Sequence, residues 1–103
     1  MSGLQIKILK DASQELKLEI AGEGHTLCNL LEKTLLEDET VEVAGYDIPH
    51  PLTSNTILYI RTKEGRDPKE ALKEALERIA ETGRSLREAF EEALEEWRKA
   101  EGK

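Results

Sequence analysis

A chain of 103 residues allows one domain, and 38% hydrophobic against 36% charged residues leave that domain a modest core for its surface. The formal net charge of −7 argues against a nucleic-acid or anionic-membrane surface, because phosphate binding needs clustered Lys and Arg and no basic run is written in the sequence. The single cysteine, Cys28, excludes an intrachain disulfide and fits a reducing, cytoplasmic compartment, while no segment reaches the ~20 apolar residues of a membrane span or carries the apolar run of a leader.

The elements follow from hydrophobic period. Leu4, Ile6 and Ile8 alternate with Gln5 and Lys7, and Leu16, Leu18 and Ile20 alternate with Glu15, Lys17 and Glu19. Each alternation reads as a half-buried strand, and the polar turn Asp11-Ala12-Ser13 joins them as an antiparallel hairpin. After Gly22-Glu23-Gly24 the period changes. Leu27, Leu30, Leu31, Thr34 and Leu35 recur at helical spacing, with Thr26 placed as N-cap, predicting a helix from 26 to 36 or 37. Val41 and Val43 alternate again, but Tyr46 and Ile48 fall on the opposite parity, which a bulge at Ala44-Gly45 would reconcile. Pro49-His50-Pro51 stops that strand, since neither proline can donate to a ladder. The run Ile57-Leu58-Tyr59-Ile60 predicts a strand covered on both faces.

Asp67-Pro68 then opens a second helix as N-cap and first helical residue. Leu72, Leu76, Ile79, Gly83, Leu86, Phe90, Ala93 and Trp97 step alternately by four and three, with Glu, Lys and Arg on the other faces. A helix over 67–101 reaches on the order of 50 Å, while a compact chain of this size is roughly 35 Å across. Part of the stripe therefore lacks cover from its own domain and marks a partner surface. Gly83 is the weak point, and Ser85 with Glu88 offers a capping box that would start a separate helix. One helix is the expectation, because the stripe passes Gly83 in phase. The order strand, strand, helix, strand, strand, helix predicts an α+β two-layer sandwich, a four-stranded, mainly antiparallel sheet with helices on one face.

Residues for chemistry are few. His25, Cys28 and His50 could supply part of a metal site, yet a structural zinc takes four ligands, and Cys28 lies beside an apolar helix stripe where a small thiol simply packs. A Cys28 nucleophile with His25 as base has no orienting group or oxyanion hole written near it. No phosphate-cradling glycine loop is present. Catalytic, metal and cofactor residues are accordingly expected to be none. Asn29, in the first turn of a helix, reads either as an exposed polar residue or as a tie to a neighbouring loop or partner.

The motif His25-Thr26-Leu27-Cys28-Asn29-Leu30-Leu31, followed by Gly45-Tyr46-Asp47-Ile48-Pro49-His50-Pro51-Leu52, resembles the archaeal RNA polymerase subunit L family, the small alpha-like subunits. The first motif also echoes the dimerisation region of the bacterial alpha subunit. The resemblance implies one alpha-like dimerisation domain over 1–103 and a non-catalytic place in DNA-directed RNA polymerase. It further implies pairing with the larger alpha-like polymerase subunit, called D, to form a heterodimer. Through that pair it implies assembly with the large polymerase subunits, without direct nucleic-acid contact. Carried over by position, Leu27, Leu30, Leu31 and Leu35 of the first helix and Leu76, Ile79, Leu86, Phe90, Leu94 and Trp97 of the second would form the partner interface. His25, Thr26, Asn29, Pro49, His50 and Pro51 carry the family motif. Where bacterial alpha chains have a glycine and paired arginines, this chain has Cys28, Glu32 and Lys33, so arginine contacts do not carry over. The alternative function is a self-pairing module or small enzyme on the same fold, using His25 and His50.

Overall fold

The structure, a computed structural model, describes residues 5–21, 24–49 and 55–102, with the side chain of His25 outside it. Six elements appear in the expected order: β1 (Gln5–Asp11), β2 (Glu15–Ala21), α1 (Gly24–Leu36), β3 (Val41–Asp47), β4 (Thr56–Thr62) and α2 (Pro68–Glu101). The sheet runs β1-β2-β4-β3, and every neighbouring pair is antiparallel. Both helices lie on one face, so the α+β two-layer sandwich that the element order predicts is the observed fold.

Register explains the core. Residues directly opposite in an antiparallel pair share a face, and Leu16 stands opposite Ile60, Leu18 opposite Leu58, and Ala44 opposite Ile60 on the other side. All of these are buried, and Leu31 and Leu35 of α1 with Ala71 and Ala75 of α2 close over them. The two alanines let α2 approach the sheet backbone closely.

Three local expectations change. The irregularity in β3 falls between Val41 and Val43, not at Ala44-Gly45. It turns Val43 outward, opposite Arg61, and so places Val41, Ala44 and Tyr46 on one inward face. β4 is covered on one face only: Leu58 and Ile60 are buried inward, while Ile57 and Tyr59 are half-buried on the open side. α1 begins at Gly24, so Thr26 is an exposed residue inside the first turn instead of the cap.

α2 starts as predicted. Asp67 accepts the Lys69 backbone N–H at 2.9 Å and Pro68 takes the first turn. The helix continues unbroken through Gly83 for 34 residues, and the restart at Ser85 is not used. At 1.5 Å per residue it is about 51 Å long, which sets the 61 Å long axis of a molecule only 35 and 21 Å in its other extents.

Ionic contacts fix its angle. The Arg66 guanidinium donates to Asp38 at 3.0 Å, to Glu74 at 2.7 Å and to the Thr40 hydroxyl at 3.0 Å, while the Thr62 hydroxyl donates to the Arg66 carbonyl. The α1–β3 loop, the end of β4 and the second turn of α2 are thereby held together. Hydrogen bonds from the Thr40 hydroxyl and N–H, then Arg66, hold the Asp38 carboxyl below its ordinary value, and Arg66 does the same to Glu74. On the opposite flank Lys69 Nζ meets Asp11 at 2.8 Å.

Replacing Leu35, fully buried on the sheet-facing side of α1, by Ala is expected to cost about 2–5 kcal/mol in urea unfolding. Gly83→Ala is expected to stabilise the helix by up to about 1 kcal/mol, since an added Cβ meets nothing within 4 Å. Because the Asp38 and Glu74 carboxyls titrate lower folded than unfolded, their contribution is complete above the unfolded value of about 4 and is lost as pH falls through the folded values. The urea midpoint should therefore fall below about pH 4, and it should fall less steeply in the Asp38→Asn/Glu74→Gln double variant.

Candidate functional site

Cover from the chain's own body ends early on α2. Its buried residues, Pro68, Ala71 and Ala75, all belong to the first turns. Farther along, Leu86, Phe90 and Trp97 are 70%, 62% and 61% exposed and share one helical stripe. The stripe runs back into a groove of about 470 Å³ between the two helices, lined by Leu30, Thr34 and Glu37 from α1 and its following turn and by Arg78, Ile79, Thr82, Gly83 and Leu86 from α2. Arg78 forms one wall of it. Its guanidinium donates to the Thr34 carbonyl at 2.7 Å and lies 3.3 Å from Glu37, tying the end of α1 to α2.

The expected interface residues divide by position. Leu30 and Leu76 are exposed, Leu27 and Ile79 are half-buried against the core, Leu86, Phe90 and Trp97 stand clear of the body, and Leu94 is half-buried. Leu31 and Leu35 are a correction: at 2% and 0% exposure they face the chain's own sheet and have no surface to offer a partner. The period-3.6 pattern marks every apolar residue of an amphipathic helix alike, and it does not say which edge of the stripe the sheet takes. Of the motif residues, Thr26, Asn29 and Pro49 are exposed, so the Asn29 side chain is presented outward. The His25 side chain, His50 and Pro51 lie outside the described residues. Arg78 and Thr34 are groove residues that sequence reasoning missed; a lone arginine four residues beyond Glu74 carries no signal that it will bridge to another helix.

Cys28 is fully buried in the apolar core, and burial pushes its thiol up. That is the reverse of what a ligand or nucleophile needs. Among the described residues no group of His, Cys, Asp and Glu is placed to hold a metal ion, and no helix is long and apolar enough to cross a membrane. An apolar stripe continued by a groove whose polar wall, Arg78 with Glu37 and Thr34, is engaged within the chain presents area suited to another polypeptide.

The fold and this stripe define the class: an α+β module whose long helix carries an apolar stripe beyond its own sheet. Residues 15–89 match the RNA polymerase Rpb3/Rpb11 dimerisation domain, and the chain belongs to that family. It is 45% identical over 78 residues to the DNA-directed RNA polymerase subunit Rpo11 of Methanocella arvoryzae, covering 76% of this chain and 84% of that one. With the subunit Rpo11 of Archaeoglobus fulgidus it shares 49% identity over 76 residues, 74% of this chain and 87% of that one. The crystal structure of DNA-directed RNA polymerase subunit L from Thermoplasma acidophilum superposes with a TM-score of 0.81 over 95% of this chain and 96% of that one, at 23% identity, and shares the fold.

The Cys28 thiol is expected to resist a thiol-specific reagent in the folded chain and to react at the rate of an unhindered thiol once the chain is unfolded in guanidinium, as followed by mass. Fast labelling of the folded chain would contradict its place in the core.

Proposed function

We propose that this chain is the small, non-catalytic alpha-like subunit of an RNA polymerase and that it pairs with the larger alpha-like subunit of the same enzyme. In this reading the heterodimer is the platform on which the two large catalytic subunits assemble. Family membership supports the role of an alpha-like subunit. The observation that carries the pairing is the uncovered stripe: an apolar row on a helix that outruns its own sheet.

The interface would use Leu27, Leu30, Leu76, Ile79, Leu86, Phe90, Leu94 and Trp97. Leu30, Ile79 and Leu86 line the groove, and Phe90 and Trp97 reach past it to the partner's body. Gly83 sits within the groove, where the missing side chain gives an opposing helix room to approach. Obligate pairs of this kind often bury ~2,000 Å² or more, in interfaces more apolar than transient ones. Glu81, Glu88, Glu92 and Glu95 stand away from the stripe and keep the opposite face in water. The nucleotidyl transfer itself belongs to the large subunits. Family membership favours the subunit reading over a self-pairing module or an enzyme built on His25 and His50.

The test is co-purification. This chain, tagged at Lys103, should recover the larger alpha-like subunit in equal amount together with the large polymerase chains, and recovery of the tagged chain alone would sink the proposal. Phe90→Asp should leave the fold of the isolated chain intact and weaken pairing on the order of 100-fold or more, because association would bury an unpaired carboxylate. Leu31→Asp is a poor test, since it places that charge in the chain's own core. Glu92→Gln on the outer face should change pairing little.

A further inference from the structure

The helix layer stops short of the edge strand. α1 lies over β3 and β4, α2 lies over β2 and β4, and α2 reaches β1 at its end through the Lys69–Asp11 pair. Ile6 stands opposite Ile20 and Ile8 opposite Leu18, so both isoleucines point to the helix side, where their neighbours on β2 are buried. Ile6 and Ile8 are nevertheless 62% and 56% exposed. The far wall of this trough is α2. Since Lys69 turns toward β1, residues three and seven positions on share its side, and these are half-buried Leu72 and exposed Leu76. Glu74 and Arg78, by contrast, turn to the α1 side, where they meet Arg66 and Glu37.

We infer that this trough between α2 and β1 receives an amphipathic helix of the larger alpha-like subunit, one that carries carboxylates along the edge facing α2. The inference rests on the pairing reading above and extends the interface to a second surface. Shape favours a helix. Strands are ~4.8 Å apart and packed helices 8–10 Å apart, so a helix laid beside α2 sits over β1. A strand added to the edge of β1 would meet the register shift between Ile8 and Lys10 and the lysines at positions 7 and 10, which blunt the edge.

Charge selects the edge. Although the chain is −7 overall, the flank of α2 on this side carries Lys69, Lys73, Arg84 and Arg87, against Asp11, Glu77 and Glu91. The ion pairs these cations make, Lys69 with Asp11 and Asp67, Arg84 with Glu81 and Arg87 with Glu91, are all exposed and each contributes little, so the cations can exchange them for carboxylates of a partner. A second copy of this chain would bring another −7 against the first, a repulsion that a partner chain with a different charge balance does not meet.

Binding of the purified larger alpha-like subunit to the full chain tests this, with Ile6→Ser/Ile8→Ser, Lys73→Glu and Phe90→Asp measured beside the unaltered chain. The two isoleucines are exposed, so the serine variant should keep its circular dichroism and melting temperature while its Kd for the larger subunit rises roughly tenfold or more. Lys73→Glu should weaken binding at low salt and lose that effect as salt is raised. A photo-crosslinking residue at position 8 should capture an acid-bearing helical segment of the larger subunit. Unchanged affinity in the serine and Lys73→Glu variants, with Phe90→Asp unable to bind, would overturn this second surface and leave the pairing reading standing. If Phe90→Asp also bound normally, the pairing reading would fall and the inference with it. Capture of a second copy of the chain at position 8 would likewise overturn it.

Discussion

Two small residues and one arginine set the geometry on which the rest depends. Ala71 and Ala75 bring the first turns of α2 down onto the sheet, and Arg66 locks its entry by joining Asp38, Thr40 and Glu74. The sheet is four strands wide, and α2 is 34 residues long. Once the start of the helix is anchored, its far half must leave the body. The apolar stripe carried on that half is left without cover among the described residues.

That arrangement accounts for how a chain with so little aromatic content would support the proposed interface. Only 4% of its residues are aromatic, yet Phe90 and Trp97 are held on the projecting half instead of in the core. The core is filled by aliphatic and small side chains, such as Leu16, Leu58, Ile60 and Cys28, which pack at low volume per residue. Large aromatic anchors contribute most when a partner desolvates them, as interface hot spots do. The same economy extends to the reactive and charged groups: the one thiol is a packing atom, and the Arg66 cluster ties loops together.

Legibility varied with the kind of signal. Period-two alternation made β1 and β2 plain, and the Asp67-Pro68 pair fixed the start of α2 to the residue. The parity change in β3 was visible as well, but its position was not. Val41 and Val43 look equivalent in sequence, and only pairing with Arg61 shows that Val43 turns outward. The apolar run of β4 looked doubly covered because Ile57 and Tyr59 are apolar enough for it, whereas the open face of the sheet simply leaves them half-exposed. In α1 the stripe included Leu30, Leu31 and Leu35 without distinction, although the sheet takes the last two and leaves the first for the groove.

By itself, then, the sequence determined the element order, the fold class, the length of α2 and the presence of an apolar stripe too long for its own domain. Those properties are local, set by hydrophobic period, caps and prolines. The motifs around 25–31 and 45–52 added the family. Tertiary structure decided which apolar residues are free: it buried Leu31, Leu35 and Cys28, exposed Ile6 and Ile8 on a face that alternation marks as inward, and placed Arg78 as a wall of the groove. Exposure depends on where neighbouring elements stop, and the ends of a helix layer over a sheet are fixed by packing among residues far apart in the chain.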